Sequence, residues 1–320
     1  MAVEKVTIGT RGSNLALWQS NHVLSLLQQR FPEVEFRVVT IKTLGDKILD
    51  SPLSKIGDKG LFTKEIERAL LDKQIDLAVH SFKDVPTEIP DGLTIGSVLE
   101  REDVRDVFIA HPAKNHARFS TLPVGASVAT GSLRRRCQLL HARPDIAIVD
   151  LRGNLNTRMD KLGASSWDGM ILARAGVVRL GWENRISEIL PFDLMLPAVG
   201  QGALAIEIRS GDARVAELVG SLNHEPTAQS ISGERALLRH LEGGCQIPIG
   251  THGRMENGRF LLDAVVGSLD GKRVIRASIQ GNARDAASLG VRLAEQLAQQ
   301  GGREILAEIR SGSAVPPPAV

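Results

Sequence analysis

Short apolar segments alternate with helical ones along most of the chain, and this alternation restricts the fold more than any other feature. The segments VTIGT, FRVVTIKT and DLAVHS each predict a strand, and the continuous apolar run in DLAVHS is typical of a strand buried in a parallel sheet. Between them, residues 13–29 and the segment TKEIERALLDK predict helices. Strands that alternate with helices form βαβ units, so the sequence predicts an α/β domain here.

Both predicted helices carry residues at helical spacing. In the first helix, one stripe consists of Leu15, Trp18, His22, Leu26 and Gln29. In the second helix, the core spacing is that of Ile66, Ala69 and Leu70.

The same alternation restarts near Asp106. DVFIA, VGASVAT, DIAIVDL and DGMILA predict strands, and SLRRRCQLLHARP and LNTRMDKLG predict the helices between them. From about Ala203, ALAIEI predicts a strand and ARVAELVGSL a helix, and a long helix then runs to about Glu242. The middle of the chain therefore predicts a second α/β domain.

The last third of the chain has the pattern of an antiparallel sheet. QIPIGTHGR, RFLLDAVVGSLDG and KRVIRASIQG are separated by the turn pairs Asn257-Gly258 and Asp270-Gly271, and a helix predicted over 283–299 covers them. A length of 320 residues suits about two domains or three small ones. The predicted fold class is therefore α/β, with two α/β domains and a smaller α+β C-terminal domain.

Composition and charge argue against several classes of protein. Hydrophobic residues make up 42% of the chain and charged residues 24%, and the net charge is only +2, which favours neither a global nucleic-acid role nor a membrane-surface role. No apolar run approaches the roughly 18 residues that span a bilayer, and the first ten residues lack the apolar stretch of a secretory signal. We expect a reduced, cytoplasmic protein whose Pro-rich end, SGSAVPPPAV, is a disordered tail.

Arginines recur directly after predicted strands or in the helices that follow them. The residues concerned are Arg11, Arg134, Arg135, Arg152, Arg158 and Arg179. Ligands of open α/β sheets bind beyond the carboxyl ends of the strands, where arginine is a bidentate, permanently charged partner for an anion. Because no phosphate-binding glycine motif has the right context, the pattern predicts a ligand with several carboxylates. A solvated helix face stays the alternative for each arginine alone, and is preferred for Arg136.

The segment HSFKDVP leaves the strand DLAVH directly and places an acid beside a cation. Asp84, next to Lys83, is a candidate to protonate a leaving group or to stabilise a developing cation. The alternative is a turn aspartate that binds its own backbone. The long connection 45–60, rich in Gly, Asp, Ser and Lys, is either a functional lid or a solvated loop.

The two cysteines differ in their sequence context. They have no CxxC spacing, which argues against a structural zinc site and a disulfide framework. Cys137 has helical spacing with neighbouring leucines, so we expect a small buried hydrophobe. Cys245 follows the Gly-Gly stop in GGCQIP, so it is either a reactive thiol or a residue that seals a domain joint.

A series of long motifs resembles the hydroxymethylbilane synthase family, also called the porphobilinogen deaminases. In chain order the motifs are IGTRGSNLALWQ, KTLGDKILD, GDKGLFTKEIE, DLAVHSFKDVPT, ATGSLRRRCQL, LRGNLNTR, LPAVGQGALAIE and LEGGCQIPIG, and they cover nearly the whole chain. The resemblance implies two domains built like periplasmic binding proteins, with the active site in the cleft between them, and a smaller third domain. It also implies that ALAIEI returns to the first domain and that 45–60 is a mobile lid. The implied boundaries are 1–100 with 198–222, then 101–197, then 223–313, with a tail at 314–320.

The resemblance implies a chemistry as well. Family members join four porphobilinogen units head to tail with loss of ammonia and release hydroxymethylbilane by hydrolysis. They do so on a dipyrromethane cofactor held by a thioether, for which the matching cysteine is Cys245, and no metal is required. Asp84 would contact the pyrrole nitrogens, assist the loss of ammonia and stabilise the azafulvene cation.

The remaining implied roles concern carboxylate binding. The cofactor-binding set is Ser13, Lys83, Asp84, Thr130, Ser132, Arg134 and Arg135. The substrate-binding set is Arg11, Gln19, Arg152, Arg158, Arg179 and Gln201, of which the two glutamines would lie near the cleft and hinge. Arg174 matches no motif position.

The implied partners are small molecules and one enzyme. They are porphobilinogen, the linear pyrrole intermediates and uroporphyrinogen-III synthase, to which the product would pass. We expect a cytoplasmic monomer that binds neither nucleic acid nor membrane. A non-catalytic, two-lobed binding protein for anionic solutes is the alternative, because fold alone does not separate the two.

Overall fold

A computed structural model of the chain describes residues 5–47, 60–114, 117–241 and 247–312. These residues form two compact units. Unit 1 takes its described residues from 1–49, 58–102 and 202–228, and unit 2 takes its described residues from 103–201 and 229–320. No helix within the described ranges is both long enough and apolar enough to span a membrane.

Strands and helices alternate in the order that the sequence predicts. The strands are β1 (Lys5–Thr10), β2 (Glu35–Thr40), β3 (Leu77–Ser81), β4 (Leu93–Val98), β5 (Asp106–Ala110), β6 (Ser127–Ala129), β7 (Ala147–Val149), β8 (Gly169–Ala173), β9 (Glu188–Ile189), β10 (Leu204–Arg209), β11 (Ile249–Glu256), β12 (Arg259–Gly267) and β13 (Val274–Gly281). The helices are α1 (Asn14–Arg30), α2 (Leu44–Lys47), α3 (Lys64–Leu71), α4 (Leu133–Ala142), α5 (Leu155–Ala164), α6 (Arg174–Arg179), α7 (Ala213–Gly220), α8 (Glu225–His240), α9 (Ala286–Leu297) and α10 (Arg303–Arg310). The sequence prediction missed β4, β9, α2 and α10.

Unit 1 contains a five-stranded sheet in the order β2-β1-β3-β10-β4. β1 pairs in parallel with β2 and β3, whereas β10 is antiparallel to both β3 and β4. The segment ALAIEI therefore returns to the first sheet, as the family resemblance implies. The parallel strands β1 and β3 end at the same edge of the sheet, where ligands of such sheets bind.

Helices cover both faces of this sheet. On one face, α1 and α7 pack against the strands through residues such as Val23 and Leu218. On the other face, α3 packs through Ile66, Ala69 and Leu70, as the sequence predicts. Side chains of β3 alternate between the two faces, since Leu77 belongs to the first cluster and Ala78 to the second.

The buried residues of α1 lie beside the stripe that contains Trp18 and His22. They are Ala16, Gln19, Ser20, Val23 and Leu27. Trp18 is 38% exposed and stacks on His22, with ring centres 5.1 Å apart. The two rings therefore cover one another at the surface, and the helix packs against the sheet through the neighbouring stripe.

Unit 2 contains a second five-stranded sheet with the order β7-β6-β8-β5-β9. β6 is parallel to β7 and β8, and β5 is antiparallel to β8 and β9. This sheet repeats the arrangement of unit 1, with three parallel strands followed by an antiparallel one. The carboxyl ends of β6, β7 and β8 consequently share one edge.

Unit 2 also holds a three-stranded antiparallel sheet, β11-β12-β13. Asn257 and Gly258 have φ of 49° and 74°, the left-handed conformation that a tight hairpin turn requires. Leu237, Leu293 and Ile305, from α8, α9 and α10, pack on one face of the sheet. The predicted meander is confirmed, and with it the fold class of two α/β sheets followed by a smaller α+β part.

Three predictions concern residues that the structure describes little or not at all. Cys245, the tail at 314–320 and most of the predicted lid at 45–60 lie outside the described residues. The predicted domain boundaries stay predictions.

Candidate active site

A pocket opens in unit 1 at the carboxyl ends of β1 and β3. Its lining is formed by Arg11, Ser13, Leu15, Ala16, Gln19, Phe62, Thr63, Val79, His80, Ser81 and Asp84. Four of the predicted site residues, Arg11, Ser13, Gln19 and Asp84, are therefore brought together. They meet because β1 and β3 are neighbours in the sheet, so the segments that leave both strands begin at the same edge.

Asp84 and Lys83 lie on a single 3₁₀ turn, Phe82–Asp84, which follows β3 directly. Phe82 is buried, and its N–H donates to the carbonyl oxygen of Ala203 at 3.0 Å. The N–H of Val85 closes the turn on the carbonyl oxygen of Phe82 at 3.2 Å. Both charged side chains are half-buried. The turn is thus fixed by its buried aromatic ring and by the backbone, which limits the positions of the Asp84 carboxylate.

The start of α1 supplies another wall of the pocket. Ser13 caps this helix, since its Oγ accepts a hydrogen bond from the N–H of Ala16 at 3.3 Å. Gln19 is buried, and its Nε2 donates to Oγ of Ser81 at 2.7 Å. Gln19 therefore ties α1 to the end of β3, beside the turn that carries Asp84.

Arg11 stands between β1 and α1 and contacts an aromatic ring. Its guanidinium carbon lies 4.2 Å from the centre of the Phe62 ring, a cation–π arrangement. Gly45 leaves room for this ring, because a Cβ at that position would overlap it. The Phe62 ring therefore positions the planar guanidinium group of Arg11, and a guanidinium group is suited to bidentate carboxylate binding.

In unit 2, Thr130 and Ser132 follow the carboxyl end of β6. Oγ1 of Thr130 accepts from the N–H of Ser132 at 3.2 Å, and Oγ of Ser132 caps α4 by accepting from the N–H of Arg135 at 3.4 Å. Between them, Gly131 approaches the end of β7 so closely that a Cβ would lie 2.6 Å from the carbonyl oxygen of Leu151. The glycine therefore brings this turn next to the segment that begins with Arg152.

Arg134 and Arg135 both bind Asp106, at the start of β5. Nη1 of Arg134 donates to Oδ2 at 2.7 Å, and Nη2 of Arg135 donates to Oδ1 at 2.8 Å. Gln201 adds a third contact, from Nε2 to Oδ1 at 2.9 Å. Burial alone would raise the pKa of Asp106, but the two guanidinium groups hold it well below its ordinary value. Three predicted ligand-binding residues thus share one buried carboxylate.

The two arginines differ in how many of their guanidinium nitrogens donate hydrogen bonds to the protein. Nε and Nη2 of Arg135 donate to Asp106, and its Nη1 donates to the carbonyl oxygen of Ile171 at 2.9 Å. In Arg134, Nη1 makes both described contacts, to Asp106 and to the carbonyl oxygen of Leu196 at 2.7 Å. Arg135 is therefore the more firmly fixed of the two.

Arg152 and Arg158 follow the end of β7. Nη2 of Arg152 is buried and has no hydrogen-bond partner among the described residues. Burial lowers the pKa of Arg152, and the nearby charge of Asp150 opposes this effect. Nε of Arg158 donates to the carbonyl oxygen of Gly153 at 2.8 Å. A buried guanidinium nitrogen that no described group satisfies could bind an anionic ligand.

Three other arginines lie on helices α4 and α6 of unit 2. Arg179 is half-buried at the end of α6. Arg174, which matches no motif position, lies 3.6 Å from Asp103 through its Nε. Arg136 is half-buried, and its Nε donates to the carbonyl oxygen of Leu269 at 3.1 Å, so the expectation of an ordinary surface arginine is wrong. Arg136 instead joins α4 to the turn after β12.

The donor groups in each unit have the chemistry that a dipyrromethane with carboxylate side chains requires. Unit 1 offers Ser13 and Lys83, and unit 2 offers hydroxyl and guanidinium groups, including the nitrogen of Arg152 that has no partner among the described residues. The residues present therefore fit the predicted cofactor. Among the described residues, no group of three or more His, Cys, Asp or Glu side chains could hold a metal ion.

Cys137 has the properties expected of a core residue. It is fully buried, and burial raises the pKa of its thiol to about 12. Its Sγ would be 2.9 Å from a Cβ placed at Gly267, so the two chain segments pack closely. The prediction of a small buried hydrophobe is confirmed.

The sequence prediction missed several buried acids, two of which lie in strands. Asp106 begins β5, and Glu207 lies within β10, where its Oε2 is 3.1 Å from Nε2 of His80. Both are fully buried. An acid inside an otherwise apolar strand was the available signal, because charged side chains are rarely buried without a partner.

Two family models match the chain. The model described as porphobilinogen deaminase, dipyrromethane cofactor binding domain, matches residues 6–217, and the porphobilinogen deaminase C-terminal domain matches residues 228–299. The break between the matches lies near the start of α8. Together they cover both five-stranded sheets and the three-stranded sheet.

Similar curated proteins carry the same family name. Porphobilinogen deaminase of Chlorobium phaeobacteroides is 54% identical over 311 residues, which are 96% of this chain and 98% of that protein. The enzyme of the same name from Desulforamulus reducens is 51% identical over 308 residues, covering 96% of this chain and 99% of that protein.

Among solved structures, the VFT2 domain of Bordetella pertussis BvgS is 16% identical, with a TM-score of 0.40, over 72% of this chain and 92% of that domain. A likeness at that TM-score carries no argument. Identity over nearly the whole length of the curated relatives, together with the two family models, shows that this chain belongs to the porphobilinogen deaminase family.

Proposed function

We propose that the chain polymerises four porphobilinogen molecules, with loss of ammonia, and releases hydroxymethylbilane by hydrolysis. The observation that carries the proposal is the pocket of unit 1, where Arg11 and Asp84 lie at the ends of neighbouring strands. A fixed cation and a fixed acid at one pocket suit a substrate with both carboxylates and an aminomethyl group. The family of the chain supplies the identity of that substrate.

Arginines bind the carboxylates of the substrate and of the growing chain in this proposal. Each added pyrrole brings two carboxylates, so the negative charge rises as the chain grows and needs partners in the protein. Permanently charged groups are suited to this task because they stay charged throughout the reaction. The substrate-binding set is Arg11, Arg152, Arg158 and Arg179, with Gln19 and Gln201 as neutral members.

Asp84 assists the departure of ammonia. When the carbon–nitrogen bond of porphobilinogen breaks, its electron pair leaves with ammonia and an azafulvene cation remains. A carboxylate held at a fixed position in a partly buried pocket stabilises such a cation without prior reorganisation of solvent. Lys83, on the same turn, contributes to binding of the cofactor carboxylates.

The dipyrromethane supplies the pyrrole α-carbon to which the first substrate becomes bonded. The proposed attachment is a thioether to Cys245, which lies outside the described residues. Its carboxylates are bound by Ser13, Lys83, Thr130, Ser132, Arg134 and Arg135. The contacts of Asp106 with the two arginines orient their guanidinium groups.

The proposal extends to partners and location. The chain acts as a cytoplasmic monomer on porphobilinogen and linear pyrroles, passes its product to uroporphyrinogen-III synthase, and binds neither nucleic acid nor membrane. A net charge of +2 supports the last point, because polyanion-binding proteins usually carry a larger excess of basic residues. No described feature favours the alternative of a non-catalytic binding protein for anionic solutes.

The deciding experiment combines a mass measurement with a colour test. Purified protein is expected to exceed its sequence mass by two pyrrole units, and incubation with porphobilinogen is expected to release a tetrapyrrole. Cys245→Ser is expected to lose both, whereas Cys137→Ser, the matched control at the other cysteine, keeps both if it folds. A wild-type protein without the mass excess, together with full turnover by Cys245→Ser, would contradict the covalent cofactor. Absence of tetrapyrrole from the wild type would contradict the function itself.

A further inference from the structure

A buried carboxylate–imidazole pair lies behind the pocket of unit 1. Nε2 of His80, on β3, is 3.1 Å from Oε2 of Glu207, on the neighbouring strand β10. The side chains are 5% and 0% exposed. In the register of the two strands, Glu207 lies opposite Ala78, and Ala78 belongs to the face that α3 covers. His80 and Glu207 therefore share the α3 face of the sheet.

Glu67 of α3 lies near this pair. Oε1 of Glu67 and Oε1 of Glu207 are both buried without a partner among the described residues. Burial raises the pKa of Glu67, a hydrogen bond with Thr63 opposes the rise, and the charge of Glu207 adds to it. Of the two acids, Glu207 is the one whose side chain contacts the imidazole, so it is the one that can position the ring.

The same histidine lines the pocket that holds Asp84 and Arg11. A carboxylate that accepts from one ring nitrogen of a histidine fixes the proton on that nitrogen and leaves a lone pair on the other. When Nε2–H donates to Glu207, the lone pair lies on Nδ1, which is then the basic nitrogen. A buried carboxylate in this position also stabilises the imidazolium that forms when the ring accepts a proton.

We propose that His80 accepts the carbon-bound proton released in each condensation, and that Glu207 is its positioning residue. This inference rests on the proposed function. The carbon–nitrogen bond of porphobilinogen breaks and its electron pair leaves with ammonia, after which a pyrrole α-carbon forms the new carbon–carbon bond. The α-C–H bond of that pyrrole then breaks, its electron pair restores aromaticity, and its proton passes to Nδ1 of His80. The imidazolium returns the proton to ammonia, which leaves as ammonium.

A separate proton acceptor resolves a conflict between two tasks in the pocket. Asp84 must be ionised to stabilise the cation of the next substrate, and a carboxylate that takes up a proton loses the charge needed for this. Arg11, the other charged side chain of the pocket lining, has no basic lone pair at accessible pH. His80 is the pocket residue that combines a ring-nitrogen lone pair with a neighbouring buried carboxyl group.

The test uses the cofactor-bearing enzyme and the variants His80→Gln and Glu207→Gln. His111→Gln is the matched control, since His111 is also buried but belongs to unit 2. Turnover is measured with porphobilinogen and with porphobilinogen deuterated at its free α-carbon. For His80→Gln we expect kcat to fall by about a hundredfold, with KM within about threefold of wild type. The isotope effect should rise, because proton removal becomes rate-limiting, and Glu207→Gln should show a smaller change in the same direction.

A second measurement determines the tautomer of His80 by NMR and does not depend on turnover. In protein labelled with ¹⁵N in its histidines, the NMR signals that are absent from His80→Gln belong to His80. We expect these signals to place the ring proton on Nε2. In Glu207→Gln the two tautomers should become mixed, because a neutral amide no longer favours one of them. The mass excess of each variant shows whether the cofactor is attached.

Distinct outcomes would overturn the inference. If His80→Gln turns over within about threefold of wild type, His80 is not the proton acceptor. If turnover is lost but the isotope effect is unchanged, the role of His80 is structural. If His80→Gln fails to fold, a wild-type spectrum with the proton on Nδ1 still contradicts the proposal. A wild type that releases no tetrapyrrole contradicts the proposed function instead, whatever the tautomer of His80.

Discussion

Arg135 donates two hydrogen bonds to a single oxygen of Asp106, from Nε at 3.2 Å and from Nη2 at 2.8 Å. The two side chains are 6% and 0% exposed. Arg134 approaches the other oxygen of the same carboxylate, so one buried negative charge compensates two buried positive charges. Removal of one member of such a network leaves the remaining charges without compensation.

We therefore expect Asp106→Asn to destabilise unit 2 strongly. The free energy of unfolding in urea should fall by about 3 to 5 kcal/mol, since the two guanidinium groups stay buried and lose their counter-charge. Glu217→Gln is the control, because it breaks the exposed pair with Arg214 and should cost less than about 1 kcal/mol. Equal losses in the two variants would show that the buried network adds nothing to stability.

The same carboxylate predicts a pH dependence of stability. The pKa of Asp106 is held well below its ordinary value, so the folded state binds its proton less readily than the unfolded state does. Its contribution is therefore complete above the unfolded pKa of about 4 and is lost as the pH falls from there toward the folded pKa. The difference in unfolding free energy between wild type and Asp106→Asn should shrink between about pH 5 and pH 3. A difference that stays constant over this range contradicts the assignment.

Asp84→Asn should abolish turnover without preventing folding. The side chain is half-buried on a turn that Phe82 and the backbone hold, so we expect the variant to fold and to carry the mass of two pyrrole units. Turnover of porphobilinogen should be almost abolished, because an amide does not stabilise the developing cation. The checks are the intact mass and steady-state kinetics. Turnover near that of wild type would exclude the proposed role of Asp84.

Cys137 should be unreactive while the protein is folded. The chain has two cysteines, so in Cys245→Ser the only thiol is that of Cys137. Because burial raises its pKa to about 12, the thiolate needed for alkylation is scarce at pH 8. We expect no addition of iodoacetamide to native Cys245→Ser and complete addition in urea, measured by mass. Rapid alkylation of the native variant would show that this part of unit 2 opens.

Gly131→Ala should disturb the turn between β6 and α4. The added Cβ would lie 2.6 Å from the carbonyl oxygen of Leu151, so the ends of β6 and β7 would have to separate. We expect loss of cofactor attachment, measured as the mass excess, together with a measurable loss of stability, because the backbone has to move. Gly163→Ala, on α5, is the control because no atom lies within 4 Å of its added Cβ. Normal attachment in Gly131→Ala would mean that the close approach has no bearing on the cofactor.

The alternation of apolar segments was sufficient to predict the α/β sheets and the edge at which the pocket of unit 1 opens. The position of Arg11 and of the turn with Asp84 followed from the rule that parallel strands end together. β4 was missed because LTIGSV alternates poorly and contains Gly96, whose added Cβ would lie 2.7 Å from Cδ1 of Ile208. Its place in the sheet depends on close packing, which periodicity does not reveal.

The sequence could not predict which side chains pair with the predicted site residues. Arg134 and Arg135 were expected to face a ligand, yet both bind Asp106, which is 28 and 29 residues away along the chain. Glu207 is 127 residues from His80 and becomes its neighbour only because β10 is inserted beside β3. Motif positions identify side chains, whereas their charge partners depend on which strands pair.

The insertion of β10 has a consequence for the order in which the protein folds. β4 pairs only with β10 in the described sheet, and β3 and β10 are also neighbours, although residues 103–201 separate β10 from both. On the ribosome, β3 and β4 therefore emerge long before their common partner. Unpaired strand edges attract other chains, and nascent proteins are exposed to this hazard. The amino-terminal sheet is thus completed after the strands of the second sheet have been synthesised, so the first part of the chain to be made is not the first to finish folding.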